Sequence, residues 1–326
     1  MARFICSTMV LATLWGPTAL AQGVPARYLL AGSLRGEAVQ LELTLPASPT
    51  DESSEHISGR RLSTPPEPLT GTVAENGDVR VQSAGLGTLT LREHLSDPAA
   101  QPAFTGTTGS GDAFSLELIA SYTTQRLTQG PFLEASWSVP YFLAPPWRRV
   151  NRPLQNAVRV PAATFIGEAQ GLLEEGALGF PYAFESELEI VRLTPNVLSL
   201  LERRYTYTGG AHPNTGYRSL TYQSQNIEGE VRRIGLNDLF RDGAAYRRIL
   251  LDEVTLKLRA RRAAWIEDSS VTLTARDLGV FTLTGRGLEF VFAPYAVGPY
   301  AQGAFFVTVP YEQLQGLLKP AFTPTR

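Results

Sequence analysis

The run RYTYTGGAHPN at residues 204–214 has the strongest chemical signature in the sequence. Gly209 and Gly210 allow backbone conformations that other residues avoid, and Pro213 fixes the path of the chain after His212. An imidazole at the tip of such a loop can act as a general base, bind a metal or pin the turn through hydrogen bonds. A structural role in the turn is the preferred interpretation of His212, and a general-base or metal-binding role is the alternative.

A second candidate segment, YAVGPY at residues 295–300, has a tyrosine at each end and a Gly-Pro pair inside. Gly-Pro interrupts strands and helices, so we expect the segment to be exposed, and exposed tyrosines commonly anchor partners. For the aromatic residues of 295–311 as a whole, packing in the core is the preferred interpretation, and a partner-binding surface is the alternative. In the strand expected before the His212 loop, two tyrosines share one face. The candidate binding residues are Tyr205, Tyr207, Gly209, Gly210, His212, Asn214, Tyr295 and Tyr300.

Sequence motifs for catalysis are weak in this chain. It has only three histidines and neither His-x-His nor His-Glu-x-x-His, so we predict no metal site. Gly-x-Ser-x-Gly and Gly-Lys-Ser/Thr do not occur, which disfavours a serine hydrolase and nucleotide binding, and we predict no cofactor. We assign no catalytic residue. The alternative is an envelope polysaccharide hydrolase or deacetylase that uses His212 with a nearby carboxylate such as Asp238.

Composition and charge exclude some classes of partner and of chemistry. The 326 residues include 29 basic and 31 acidic side chains, a formal net charge of −2, which gives no reason to expect a nucleic-acid partner. Hydrophobic residues make up 43% of the chain, as in ordinary globular proteins, and 29 glycines and 23 prolines predict many turns. Cys6 is the single cysteine, so disulfides within the chain and thiolate metal sites are excluded.

Residues 1–21 have the pattern of a secretory signal. Arg3 supplies the positive charge, an apolar run follows from Phe4 to Trp15, and Ala19-Leu20-Ala21 is a cleavage site before Gln22. The alternative is an uncleaved anchor, but the apolar run is shorter than the ~20 residues that cross a bilayer. We expect an exported protein that is periplasmic, envelope-associated or secreted, and not integral to the membrane after cleavage.

The region 22–128 is predicted to be an all-β module. Short runs such as Val39–Leu45 alternate apolar and polar residues with period two, which is typical of half-buried strands. Asn76-Gly77 lies between two such runs and predicts a tight hairpin. We expect six to eight strands in a small barrel or a sandwich, with 46–68 as a long loop or a frayed hairpin.

The region 129–326 is predicted to be an α+β domain with an antiparallel sheet and two main helices. The first helix spans Arg148–Glu175, where Pro161 should kink or split it, and the second is capped by Asn237 or Asp242. The second helix ends in an arginine cluster at 259–262. The predicted strands are Phe184–Leu193, Val197–Thr208, Tyr217–Asn226, Val280–Thr284, Leu288–Ala293 and Ala304–Val309, before a short helix at Glu312–Leu318.

Three motifs resemble a bacterial extracytoplasmic domain of unknown function. They are the Tyr-x-Tyr-x-Gly-Gly-Ala-His-Pro-Asn run at 205–214, Asn-Asp-Leu-Phe at 237–240, and Phe-x-Phe-x-Pro-Tyr-x-x-Gly-Pro-Tyr-Ala-x-Gly at 290–303. The segment Ser138–Phe142, which leads into a helix, resembles the partner domain that usually precedes it. The resemblance covers residues 130–320, in matching order and spacing.

The resemblance implies an α+β domain that occurs in lysozyme-sensing anti-sigma factors and ahead of the catalytic domain in peptidoglycan deacetylases. Neither use makes the domain itself a catalyst. The sequence contains neither a transmembrane helix joined to a sigma-binding region nor the metal-binding Asp and His-x-x-x-His of such a deacetylase. We therefore expect a non-enzymatic binding protein of the cell envelope, whose partner is a cell-wall glycan or an extracytoplasmic protein such as lysozyme.

Overall fold

The computed structural model describes residues 26–45, 56–63, 65–74, 78–94, 103–225 and 230–322. The predicted signal segment and the Asn76-Gly77 turn lie outside the described residues. Within these ranges the chain forms two compact units, residues 26–123 with 140–148 and residues 124–139 with 149–322. None of the helices in these ranges combines the length and the apolar character that crossing a bilayer requires.

The first unit is a closed antiparallel barrel. Each strand pairs with the next along the chain, and the first also pairs with the eighth, from Tyr28 opposite Ser121 to Ser33 opposite Ser115. Of the two predicted arrangements, the barrel is therefore the one that forms. Its strands are β1 (Ala26–Leu34), β2 (Glu37–Leu45), β3 (His56–Arg61), β4 (Glu67–Val73), β5 (Val79–Ser83), β6 (Gly87–His94), β7 (Ala103–Thr108) and β8 (Ala113–Gln129).

Period-two alternation explains the barrel core. On β2, Val39, Leu41 and Leu43 are almost fully buried, and the alternate residues of the other strands join them. At Gly59 an added Cβ would overlap the carbonyl oxygen of Glu42, so the close approach of β2 and β3 requires glycine there. The segment 46–68, predicted to be a loop or frayed hairpin, contains strand β3 because its residues 56–61 continue the barrel ladder.

A buried carboxylate lies among the barrel strands. Glu42 is only 4% exposed, and its Oε1 accepts hydrogen bonds from Arg27 Nε at 3.0 Å and Arg60 Nε at 3.2 Å. The Tyr122 hydroxyl donates to Glu42 Oε2 at 2.8 Å. Burial, followed by the charge of Glu42, raises the pKa of Tyr122 well above its usual value.

The raised pKa of Tyr122 predicts alkaline destabilisation of the barrel. Above about pH 10 the unfolded chain loses the phenol proton while the folded barrel keeps it, so the free energy of unfolding falls as pH rises. Tyr122→Phe should remove the part of the fall in unfolding free energy that comes from this phenol. Urea titrations of both proteins between pH 8 and 11 measure it, and parallel curves would contradict the prediction.

The second unit contains five strands that pair with one another in chain order. The strands run in order, with β9 and β10 parallel and every later pair antiparallel. Strand β9 was not predicted. The parallel pair departs from the predicted antiparallel sheet because a long helix between β9 and β10 returns the chain to the same end of the sheet. The elements are β9 (Leu133–Phe142), α1 (Asn151–Glu174), β10 (Tyr182–Leu193), β11 (Val197–Tyr207), β12 (Asn214–Ser224) and β13 (Val231–Ile234).

Helix α1 is continuous through Pro161, so the predicted split is wrong. Leu154, Val158 and Ala162, spaced by four, define its buried face. A proline has no N–H for the carbonyl four residues earlier, here that of Ala157. Arg218 Nη2 on β12 donates to this carbonyl oxygen at 2.6 Å. An arginine from the sheet thus supplies the hydrogen bond that Pro161 cannot make.

The rest of the second unit contains the second main helix and a three-stranded antiparallel sheet, whose buried residues form one apolar cluster. Neither Asn237 nor Asp242 caps helix α2, which starts after Ala245; Asn237 accepts a hydrogen bond from the Tyr246 hydroxyl. The predicted helix at 312–318 is only a 3₁₀ turn, Tyr311–Leu314. The elements are α2 (Tyr246–Ala260), α3 (Ala264–Glu267), β14 (Phe281–Leu283), β15 (Gly287–Phe292) and β16 (Phe305–Pro310).

Candidate functional site

The two segments singled out in the sequence meet in the second unit. His212 lies in the loop between β11 and β12, and the two tyrosines lie between β15 and β16. The Nε2 atom of His212 is 2.9 Å from the Tyr295 hydroxyl. The imidazole also stacks on the Tyr300 ring, with centroids 3.9 Å apart and planes inclined by 13°. Residues 83 positions apart in the chain therefore form one surface.

Trp265 joins this surface from helix α3, although it was not among the predicted site residues. Its ring stacks on Tyr295 with centroids 6.4 Å apart and planes inclined by 21°. The backbone N–H of Trp265 donates to the carbonyl of Val297, which ties α3 to the segment 295–300. No local pattern distinguishes this tryptophan from a core residue. We call His212, Trp265, Tyr295 and Tyr300 the aromatic platform.

The platform is accessible to solvent. Tyr295 is 50% exposed and His212 is exposed, while Trp265 and Tyr300 are half-buried. The preferred interpretation of core packing holds instead for Phe305 and Tyr311, which are 9% and 5% exposed. The aromatic residues of this region thus divide into core members and surface members.

The segment 295–300, which we call the tyrosine segment, has a strained backbone conformation at Tyr295. Tyr295 has φ of 69°, a left-handed conformation that costs a non-glycine residue roughly 1–2 kcal/mol. Gly298 packs against the Gln302 side chain, where an added Cβ would overlap the amide oxygen. That amide accepts from Ala264 N at 3.1 Å and donates to the Arg262 carbonyl at 2.8 Å. These bonds fix the segment to the start of α3, and such strain is typical of functional sites.

The loop of residues 208–213 is shaped by its glycines, as the sequence indicates. Gly209 has φ of 92°, and the Phe180 ring occupies the space that a side chain would need. The Tyr207 hydroxyl donates to the Gly210 carbonyl at 3.1 Å. His212 Nδ1 lies 2.9 Å from the carbonyl oxygen of Pro213. Both ring nitrogens of His212 therefore have partners within the protein.

The remaining candidates lie elsewhere in this unit. Tyr205 is half-buried within β11, opposite Glu185 and Thr215. Asn214 begins β12 opposite Thr206. The structure thus brings together His212, Tyr295 and Tyr300 of the predicted set, with Tyr207, Gly209 and Gly210 supporting their loop.

The structure does not bring Asp238 to His212. Asp238 Oδ2 accepts from the Gly235 N–H at 2.8 Å, and Oδ1 accepts from Arg232 at 3.2 Å. The bond from Gly235, followed by the neighbouring Arg232, holds the pKa of Asp238 below its usual value. A general base works best with a pKa near the operating pH, so this carboxylate suits an ion pair better. In the described ranges, no group of three or more His, Cys, Asp or Glu side chains is arranged to hold a metal ion.

Two family models match the second unit in succession. Residues 133–215 match the model described as Deacetylase PdaC, and residues 237–312 match that described as Protein of unknown function (DUF3298). The chain carries a PdaC domain followed by a DUF3298 domain. The His212 loop closes the PdaC domain, whereas Trp265, Tyr295 and Tyr300 belong to the DUF3298 domain. The aromatic platform therefore lies where the two domains meet.

Solved structures of DUF3298 proteins are also similar to the chain. One, from Pseudomonas aeruginosa PAO1, shares 17% identity, covers 72% of this chain and 100% of its own, and has a TM-score of 0.49. Another, from Bacteroides fragilis NCTC 9343, shares 17% identity, covers 62% of this chain and 94% of its own, and has a TM-score of 0.42. No curated protein matches the chain.

Proposed function

We propose that this protein is a non-enzymatic, exported binding protein of the cell envelope that recognises a cell-wall glycan through the aromatic platform. The observation that carries the proposal is the stacking of His212 on Tyr300 beside the exposed Tyr295, on a surface that the two domains build together. The PdaC and DUF3298 matches support a role related to the cell envelope. Export rests on the signal pattern of residues 1–21.

The chemistry of the platform suits a sugar ring. An aromatic face carries negative charge density and attracts the partly positive C–H groups on one side of a pyranose. The hydroxyls of Tyr295 and Tyr300 supply hydrogen-bonding groups for sugar hydroxyl or acetamide groups, and the Tyr295 hydroxyl also contacts His212 Nε2. Rigid stacked rings lose little conformational entropy on binding, which favours affinity.

Binding without turnover fits the surroundings of His212 better than hydrolysis does. Its ring nitrogens contact Pro213 and Tyr295, and its ring contacts are Tyr295 and Tyr300. No carboxylate of the described residues is among these partners, so the imidazole lacks the acid that orients a catalytic histidine. The hydrolase or deacetylase alternative has no specific observation in its favour.

Tyr295→Ala and Trp265→Ala are expected to weaken glycan binding. Loss of a central aromatic anchor costs about 2 kcal/mol, which is roughly a 30-fold rise in Kd. Isothermal titration calorimetry with soluble peptidoglycan fragments measures the effect. Phe132→Ala is the matched control, because Phe132 is 39% exposed but is not part of the platform, and its Kd should not change.

Three outcomes decide between partners. Wild-type protein that binds no fragment, or binding that Tyr295→Ala leaves intact, would refute glycan recognition by the platform. A parallel titration with lysozyme tests the protein partner, and Tyr295-dependent binding to lysozyme alone would replace the glycan. Release of acetate or of reducing sugar from the fragments would show an enzyme instead.

A further inference from the structure

A concave feature of this unit lies on the β11 and β12 strands, away from the aromatic platform. Glu202 and Arg218 are opposite each other in the ladder, and Arg204 is two residues further along β11 on the same face. Glu202 is 1% exposed, whereas the side chains of Arg204 and Arg218 are 31% and 37% exposed. We call this feature the arginine cleft.

The charges of the arginine cleft do not balance. Arg204 donates to Glu202 Oε1 through Nη2 at 2.6 Å and Nε at 3.1 Å. Arg218 donates to Oε2 through Nε at 2.6 Å, and the Ser186 hydroxyl donates to Oε1 at 2.8 Å. One carboxylate thus faces two guanidinium groups, leaving one positive charge uncompensated within the cleft.

Some N–H groups of the two arginines also have no hydrogen-bond acceptor in the described part of the chain. A guanidinium has five N–H donors. Arg218 donates to Glu202 through Nε. Its Nη2 also donates to the Ala157 carbonyl beside Pro161, so this arginine has a structural role. Arg204 uses Nε and Nη2 on Glu202, and its guanidinium lies 5.9 Å from the centroid of the Phe184 ring. The Nη1 groups of both arginines make no hydrogen bond to any residue in the described part of the chain.

The shape of the cleft leaves room at these donors. Its volume is about 220 Å³, several times the roughly 30 Å³ of a water molecule but below that of most drug-sized sites. Gly216 lies opposite Arg204, and a Cβ built on it meets no atom within 4 Å. Thr206 and Asn214 are opposite each other on the same two strands, and both also line the cleft. Their side chains have no hydrogen-bond partner among the described residues.

We propose that the arginine cleft binds a small carboxylate carried by a sugar or a peptide. A planar, singly charged carboxylate matches the fork geometry of guanidinium and neutralises the single excess charge. Thr206 and Asn214 provide further polar groups beside it. The ligand enters beside Gly216, where no side chain closes the cleft. This site adds an anionic group to the ligand chemistry of the proposed function and shares no residue with the aromatic platform.

Matched pairs of small probes test the proposal with the full chain. D-glucuronate against D-glucose tests a carboxylate on a sugar, and N-acetyl-glycylglycine against its C-terminal amide tests a carboxylate on a peptide. We expect at least one acid to bind and its neutral partner not to bind, by calorimetry or ligand-observed NMR. Equal binding of acid and neutral partner would overturn the proposal, as would preference for inorganic phosphate over both acids.

Two variants locate the binding in the cleft. Arg204→Gln should raise the Kd for the acid by at least about tenfold, as expected for loss of a charge-assisted contact. Gly216→Val keeps every charge but fills the open space, and it should abolish binding while circular dichroism shows a folded protein. Arg203→Gln is the control, because Arg203 lies on the other face of β11 and pairs with Glu185. If Gly216→Val leaves binding of the acid unchanged, the proposal that the acid binds in the arginine cleft is refuted.

These results are separable from those on the platform. Glycan fragments that bind through Tyr295 but ignore Arg204→Gln and Gly216→Val would refute only the cleft. Small acids that bind in an Arg204-dependent manner, with no fragment bound at the platform, would refute only the glycan proposal.

Discussion

Glu202→Ala is expected to lower the unfolding free energy of the second unit by about 3–5 kcal/mol, the typical cost of removing one partner from a buried charge network. Glu202 is 1% exposed and accepts hydrogen bonds from Ser186, Arg204 and Arg218. Alanine would leave two guanidinium groups side by side and an unpartnered buried hydroxyl. It would also release Arg218, whose other bond supports the carbonyl beside Pro161 in α1.

Thermal and urea unfolding of the two proteins measure this effect. A loss of this size shifts the midpoint temperature by on the order of 10 °C for a unit of this length. Glu185→Ala is the control, since Glu185 is exposed, pairs with Arg203 at the surface, and should change stability by less than about 1 kcal/mol. Equal shifts for Glu185→Ala and Glu202→Ala would show that burial of the Glu202 carboxylate is not what stabilises the sheet.

Glu42→Ala is expected to destabilise the barrel by a similar amount, about 3–5 kcal/mol. Glu42 is 4% exposed and joins two arginines from different strands to the Tyr122 hydroxyl on β8. The substitution leaves the Tyr122 hydroxyl without its carboxylate acceptor. It also removes the counter-charge that Arg27 and Arg60 share.

Hydrogen exchange with peptide resolution distinguishes the two effects. Glu42→Ala should speed amide exchange in β1, β2 and β8, whereas Glu202→Ala should speed exchange in β10, β11 and β12. Glu117→Ala is the barrel control, because Glu117 is exposed on β8 and should leave exchange unchanged. Unaltered exchange of the barrel strands in Glu42→Ala would contradict the proposed role of this carboxylate.

Most of the secondary structure follows from local patterns. Period-two alternation predicts the barrel strands, and apolar residues spaced by four, such as Leu250, Val254 and Leu258, predict α2. The predicted strands of the second unit differ from the observed ones by a few residues, as at Phe281–Leu283. Those errors lie at strand ends, where pairing with a neighbour rather than local sequence decides the boundary.

Three features depended on partners distant in sequence. Alternation is the same in a sandwich and in a barrel, so only the pairing of β1 with β8 distinguishes them. Strand β9 was not predicted, and its parallel partner β10 lies beyond a 24-residue helix. Helix α1 passes through Pro161 without a break because Arg218, 61 residues from Ala157, completes its hydrogen bonding.

The sequence by itself determined the loop of His212 and the exposed tyrosine segment, because Gly-Gly, His-Pro and Gly-Pro restrict the backbone locally. Only the tertiary structure decided that His212 stacks on Tyr300, that Trp265 joins them, and that Asp238 pairs with Arg232 instead. The same holds for the arginine cleft, whose excess charge arises from side chains on two paired strands. Contacts between distant segments depend on strand register and packing, which local propensities do not specify.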